Sequence, residues 1–119
     1  MLPTVFISHG FPMLAVEPGP YGAAWKTIAD SLPRPSSILV VSAHWNTRQP
    51  ALSLAATPET IHDFGGFPAA LYDISYAAPG APDVAQHVAT LLTDKGLPVV
   101  LAPDRGLDHG AWVPLRHMY

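Results

Sequence analysis

The sequence predicts an α/β fold in which a mostly parallel or mixed central sheet is flanked by helices. Short apolar, β-branched runs alternate with stretches of helical periodicity, which is the pattern of α/β proteins. The apolar runs lack alternating polar residues, as is typical of strands buried on both faces. Fourteen prolines occur singly rather than in a tract, which favours loops of fixed shape. At 119 residues and 49% apolar composition, the chain is predicted to form one domain at most.

Four segments are predicted to be strands. Residues 4–7 (TVFI) and 37–41 (SILVV) are the strongest, because both are rich in β-branched residues. They end at Ser8-His9-Gly10 and at Ser42-Ala43-His44-Trp45, respectively. A third, weaker strand is predicted over residues 51–54 and a fourth strand over residues 98–101.

The predicted helices rest on apolar residues spaced three and four apart. They cover residues 20–32, 69–72, 83–95 and 110–119. Asp83 is predicted to cap the third of these helices, and Gly96 to end it. The stretch from 57 to 82 is rich in Gly, Pro and aromatic residues, which indicates a long ordered loop.

Composition excludes several classes of function. A net charge of −3 with only six Lys and Arg provides no basic stripe for nucleic acid. The chain has no run of about 18 apolar residues, so no membrane span is predicted. Without cysteine there are no disulfides or thiolate ligands. The absence of an export signal favours a cytoplasmic location. The charged fraction of 13% is low, which suggests covered surfaces and is compatible with a homo-oligomer.

Three histidines are predicted to meet at the carboxyl edge of the sheet, where α/β folds bind ligands. His9 and His44 follow the first two predicted strands, and His109 follows the fourth within Gly106-Leu107-Asp108-His109-Gly110. The adjacent carboxylate of Asp108 is expected to orient the imidazole of His109. Without cysteine or a closely spaced histidine pair, a structural zinc site is excluded. Imidazole ligands suit a catalytic Fe(II), Zn or Cu site.

A lone histidine at a strand end is more often structural than chemical, and the three remaining histidines are weaker candidates than His9, His44 and His109. His62 lies in the ordered loop, where it could face the site or stabilise a turn. His87 and His117 are predicted to be solvated on helix surfaces.

Four motifs occur in the same order as in a known family. They are Phe6-Ile7-Ser8-His9-Gly10-x-Pro12-Met13, Val41-Ser42-Ala43-His44-Trp45, the loop from His62 to Pro68, and Gly106-Leu107-Asp108-His109-Gly110-Ala111-Trp112. The chain thereby resembles the DOPA-4,5-dioxygenase-like group of the class III extradiol ring-cleavage dioxygenases. Position 11 departs from the pattern, since Phe11 stands where that group usually has a small serine.

The resemblance implies a non-haem, metal-dependent enzyme that cleaves a catechol-type ring with O2. It implies that His9 and His44 are metal ligands and that His109 is a catalytic histidine that binds substrate or moves protons. His62 is assigned to substrate binding. Fe(II) is expected for activity, Zn(II) is a plausible bound metal, and the partners are a small aromatic diol and O2. Residues 1–119 are expected to be the N-terminal portion of a single dioxygenase domain, truncated after Tyr119.

Two other functions are open at this point. A zinc-dependent hydrolase would use the same histidines to activate water. A non-catalytic half-domain would need a partner chain to cover its exposed sheet edge.

Overall fold

The computed structural model describes residues 2–119 and confirms the α/β class. A short 3-10 helix spans Pro12–Ala15. The α-helices are α1 (Gly19–Asp30), α2 (Ala69–Tyr72), α3 (Pro82–Asp94) and α4 (His109–Met118), and the strands are β1 (Ala51–Ser53) and β2 (Val100–Ala102). None of the helices in the described part of the chain is long and apolar enough to cross a membrane.

The sheet consists of β1 and β2, which pair in parallel with Leu52 opposite Leu101. Helix α3 lies between them in the sequence and contacts β1, so the unit is a β-α-β crossover. In the segments that follow β1 and β2, an isolated parallel bridge joins Thr60 to Leu107. This bridge extends the pairing toward the start of α4 and so toward His109.

The two strongest predicted strands, residues 4–7 and 37–41, are wrong as strands. Both segments lie outside the sheet, and Phe6 and Val41 are 99% and 92% exposed instead of buried. The physical reason is that β propensity measures how well side chains pack against a neighbouring strand. Within residues 2–119 no strand pairs with either segment. The third and fourth strand predictions are confirmed: residues 51–54 contain β1, and the strand predicted at 98–101 is β2, displaced by one or two residues.

The predicted helices are confirmed to within one or two residues at each end. Helix α3 ends as expected, because Gly96 follows it with a φ of +78°. Asp83 does not cap the helix, since the N-cap residue is Ala81. Asp83 lies instead in the first turn, where a carboxylate interacts favourably with the helix dipole.

The core lies where the 3-10 helix, α1, α2 and α4 meet. Its buried residues are Leu14, Ala15, Trp25, Leu71, Trp112 and Val113. Trp112 is fully buried and its indole Nε1 donates to the carbonyl of Ile61 at 2.9 Å. This bond anchors the loop before α2 to the first turn of α4.

His117 is half-buried, which corrects the prediction of a solvated side chain. Its Nε2 bonds to the carbonyl oxygen of Leu14 at 2.8 Å, and its ring stacks on Trp25 with centroids 5.8 Å apart. It thereby joins the 3-10 helix to α1 and α4. His87 is exposed on α3, as predicted.

Candidate metal centre

Three histidines from separate parts of the chain meet in one cluster. One ring nitrogen from each of His9, His44 and His109 lies within 4.8 Å of the others. Two of these residues, His9 and His44, follow segments 4–7 and 37–41, and the third begins α4. The structure therefore brings together the residues that the sequence placed at one edge. Their roles as ligands and catalytic group stay predictions.

The spacing of His9 and His44 fits two ligands of one metal ion. Their Nε2 atoms are 3.0 Å apart. Two imidazole nitrogens bound at about 2.1 Å each lie about 3.0 Å apart when the angle between the bonds is near 90°. Imidazole donors suit iron, zinc and copper. The donor set and its spacing thus fit a transition metal.

The environment of His9 favours the neutral imidazole that a metal requires. Burial lowers its pKa below the ordinary value, and the neighbouring His109 and His44 lower it further through repulsion of a second positive charge. Its Nδ1 is buried and has no hydrogen-bond partner among the described residues. Because metal ligands must be deprotonated, a depressed pKa reduces the competition from protons.

Asp63, and not Asp108, orients His109. The Oδ1 atom of Asp63 lies 2.9 Å from the ring Nδ1 of His109 and 2.9 Å from its backbone nitrogen. Burial alone would raise the pKa of Asp63, but the hydrogen bonds from the backbone and ring of His109 hold it below the usual value. The expectation that the adjacent Asp108 performs this role is wrong.

Asp108 instead holds the segment that carries His44. Its Oδ1 accepts a hydrogen bond from the Ser42 hydroxyl at 2.6 Å, and its Oδ2 lies 3.4 Å from the guanidinium of Arg105. The Ser42 oxygen in turn accepts from the backbone N–H of His44 at 3.2 Å. Asp108 faces away from His109 because consecutive side chains at a helix start point in different directions.

His62 lies beside the cluster and not in it. Its Nε2 bonds to the carbonyl of Ile74 at 2.9 Å, which is the turn-stabilising interaction that the sequence left open. The ring of Phe64 contacts both His62 and the cluster, with its centroid 5.9 Å from that of His62 and 5.6 Å from that of His109. His62 also lines an open cavity of about 490 Å³ bordered by residues 57–60 and 72–78. Its assignment to substrate binding stays a prediction.

Phe11 does not fill the site. Its side chain is 57% exposed, so the bulky ring at this position turns outward. Asp63 and Ser42 were missed as supporting residues, although both lie inside the quoted motifs. No local pattern connects Asp63 to His109, because 46 residues separate them.

Gly110 provides a test of how closely the site is packed. A Cβ atom there would lie 2.8 Å from the Ser42 Oγ, 2.9 Å from the His44 Cδ2 and 3.1 Å from an Asp108 oxygen. We expect Gly110→Ala to reduce metal affinity by about 10- to 100-fold, the usual effect of disturbing groups that orient ligands. The helix itself should gain about 1 kcal/mol from the same change, because alanine is the better helix former.

Isothermal titration with Zn(II) measures the affinity, and Gly65→Ala is the control, because a Cβ at Gly65 meets no atom within 4 Å. Equal affinities for the two variants would contradict the proposed packing of Gly110 against His44.

Comparison with known proteins places this cluster in a family. A family model described as the catalytic LigB subunit of aromatic ring-opening dioxygenase matches residues 3–119. The chain is 48% identical over 119 residues to the 4,5-DOPA dioxygenase extradiol of Escherichia coli K12, covering 99% of this chain and 43% of the relative. It is 46% identical over 121 residues to the protein of the same name from Beta vulgaris, covering 98% of this chain and 45% of the relative.

A more distant relative is dioxygenase tasH of Hapsidospora irregularis, which is 35% identical over 129 residues and matches 97% of this chain and 39% of its own length. The chain thus spans less than half the length of the curated relatives it matches. The match nevertheless covers all three clustered histidines and both supporting carboxylates. The chain belongs to the LigB family of aromatic ring-opening dioxygenases.

Proposed function

We propose that this chain supplies the metal-binding histidines of an extradiol dioxygenase, which opens the ring of a catechol-type substrate with O2. The observation that carries the proposal is the cluster of His9, His44 and His109, whose ring nitrogens fit a shared metal ion. The names of the relatives support the reaction class. In this proposal residues 1–119 are the N-terminal portion of a single dioxygenase domain, because they match less than half of each relative.

His9 and His44 would hold the metal through their Nε2 atoms. Fe(II) bound there would supply the redox chemistry that brings the diol and O2 to reaction, whereas zinc has none. A third imidazole beside the ligands, that of His109, would take a proton from a catechol hydroxyl, the general-base role that histidine fills most often. The hydrogen bond to Asp63 would keep this imidazole in place while it does so.

The burial of His109 supports its role as a proton carrier. Its side chain is only 8% exposed, and the ring of Phe64 packs edge-on against it. A sheltered imidazole exchanges its proton with a bound substrate in preference to bulk water. We propose His109 as the catalytic histidine on this basis.

The experiment uses the native gene product that contains residues 1–119, loaded with Fe(II) under anaerobic conditions. DOPA and simple catechols are then added with O2, and oxygen uptake and the yellow ring-opened product are followed. The Fe(II) protein should form product, while the Zn(II) protein and His109→Ala should form little or none. If the Fe(II)-loaded native protein formed no product from DOPA or any of the catechols, the proposal would be contradicted. Product from the native protein but not from residues 1–119 alone would support the assignment as an N-terminal portion.

The two alternatives differ in how much support they receive. Many zinc hydrolases place a carboxylate base beside the metal-bound water, but no carboxylate belongs to the cluster among the described residues. Asp63 lies outside the cluster and hydrogen-bonds to the backbone and ring of His109. A non-catalytic half-domain has more support, since Phe6 and Val41 are almost fully exposed and apolar. Product from residues 1–119 alone would exclude the half-domain. The cytoplasmic location and a homo-oligomeric state stay predictions.

A further inference from the structure

The loop that carries Asp63 is held against the start of α4 by a backbone ladder. The N–H of Leu107 donates to the carbonyl of Glu59 at 2.8 Å, and the N–H of Ile61 donates to the carbonyl of Leu107 at 2.8 Å. The two backbone segments approach so closely that a Cβ atom on Gly106 would lie 2.3 Å from the backbone carbonyl oxygen of Glu59. Backbone atoms cannot move aside as a flexible side chain can, so only glycine fits at position 106. This close approach and the two hydrogen bonds fix the register between the two segments.

The next rung of this ladder is made by a side chain. The N–H of His109 donates to the Oδ1 of Asp63 instead of to a backbone carbonyl, and the same oxygen meets the ring Nδ1 at 2.9 Å. The residue that begins α4 thus has its backbone and its ring fastened to one atom. Because helix N-termini leave N–H groups without intrahelical partners, the carboxylate also satisfies the first of these in α4.

The chemistry of this contact determines where the ring proton lies. An ionised carboxylate only accepts hydrogen bonds, so Nδ1 must be the protonated nitrogen of His109. In the neutral ring the lone pair is then on Nε2. The other nearby carboxylate, Asp108, is occupied by Ser42 and Arg105 and does not compete for the ring.

We propose that Asp63 is a positioning residue, which fixes His109 as the Nδ1–H tautomer and leaves Nε2 as its only basic nitrogen. The imidazole lies among the other two histidines, with its centroid 4.1 Å from that of His44 and 5.2 Å from that of His9. Asp63, from a loop distant in the sequence, therefore determines which nitrogen of His109 carries the free lone pair. The tautomer follows from geometry alone, and only its value for catalysis rests on the proposed function.

The test is the two-bond ¹⁵N–¹H correlation spectrum of histidine-labelled protein without metal, recorded at alkaline pH where imidazole is neutral. The signals of His109 are identified by their loss in His109→Gln. In the wild-type protein Nδ1 should have the shift of a protonated nitrogen and Nε2 that of an unprotonated one. A wild-type spectrum with His109 protonated at Nε2 would overturn the proposal without any further variant.

Two variants separate positioning from general stability. Asp63→Ala removes the acceptor and should release His109 to a mixture of tautomers. Asp104→Ala removes an exposed carboxylate close to α4 and should leave the spectrum unchanged. An unaltered Nδ1–H signal in a folded Asp63→Ala protein would contradict the inference.

If the proposed function holds, Asp63→Ala should also lower kcat by about 10- to 100-fold, the range found for groups that orient histidines at metal sites. KM should change much less, because Asp63 is directed at His109 and not at the substrate. A failed ring-cleavage assay would count against the proposed function, while the tautomer spectrum would still decide the role of Asp63.

Discussion

Replacing His9 or His44 by alanine should abolish tight binding of a divalent metal. Each residue would contribute one of the two Nε2 atoms that lie 3.0 Å apart. Removing a group that merely orients a ligand costs about 10- to 100-fold in metal affinity, so the loss of a ligand itself should exceed about 100-fold. Zn(II) titration by calorimetry, with metal content measured after dialysis, provides the affinity.

Two further variants show whether the loss is specific. His87→Ala removes an exposed imidazole from α3 and should leave the affinity unchanged. His109→Ala should keep most of the metal if this residue moves protons, and should lose it if the residue is a third ligand. Undiminished metal content in His9→Ala and His44→Ala would remove both residues as ligands.

Replacing Trp112 by alanine should produce the largest loss of stability in the chain. Trp112 is fully buried between the core and the loop before α2, and its indole donates to the Ile61 carbonyl. Large-to-alanine substitutions at buried aromatic positions lower the free energy of unfolding by about 3–5 kcal/mol. Urea denaturation followed by circular dichroism measures this change.

Trp112→Phe separates the packing of the ring from its hydrogen bond. It keeps most of the apolar volume but leaves the Ile61 carbonyl without a donor, which should cost about 1–3 kcal/mol. Tyr21→Ala is the surface control, because Tyr21 is 58% exposed, and it should stay within about 0.5 kcal/mol of the wild type. A loss below about 1 kcal/mol in Trp112→Ala would show that this residue does not anchor the fold.

The helices could be predicted from the sequence because their signals are local. Three- and four-residue spacing, with Gly96 as a stop signal, located α1 and α3 to within one or two residues. The predictions of strands at residues 4–7 and 37–41 were wrong, because a strand requires a partner elsewhere in the chain. Propensity describes the segment alone, and it contains no information on whether a neighbour is present.

The residues of the candidate site also fall into two groups: those with a local sequence signal and those whose roles depend on contacts between distant parts of the chain. His9 and His44 could be found because each follows the end of an apolar run, and His109 because it lies a few residues after another such run, between Asp108 and Gly110. Asp63 could not, because its contact with His109 depends on the ladder between two loops 46 residues apart. Asp108 was chosen in its place on sequence adjacency, whereas its carboxylate is directed at Ser42.

The assembly of the histidine cluster from distant parts of the chain links metal binding to the folding equilibrium. An unfolded chain does not hold the ring nitrogens of His9, His44 and His109 within 4.8 Å of one another, so an ion held by His9 and His44 would bind the native state selectively. By mass action, such an ion raises the free energy of unfolding by RT ln(1 + [L]/Kd), about 2.7 kcal/mol at a concentration one hundred times Kd. We therefore expect the melting temperature of this chain to rise with the free metal concentration and to fall when a chelator removes the ion.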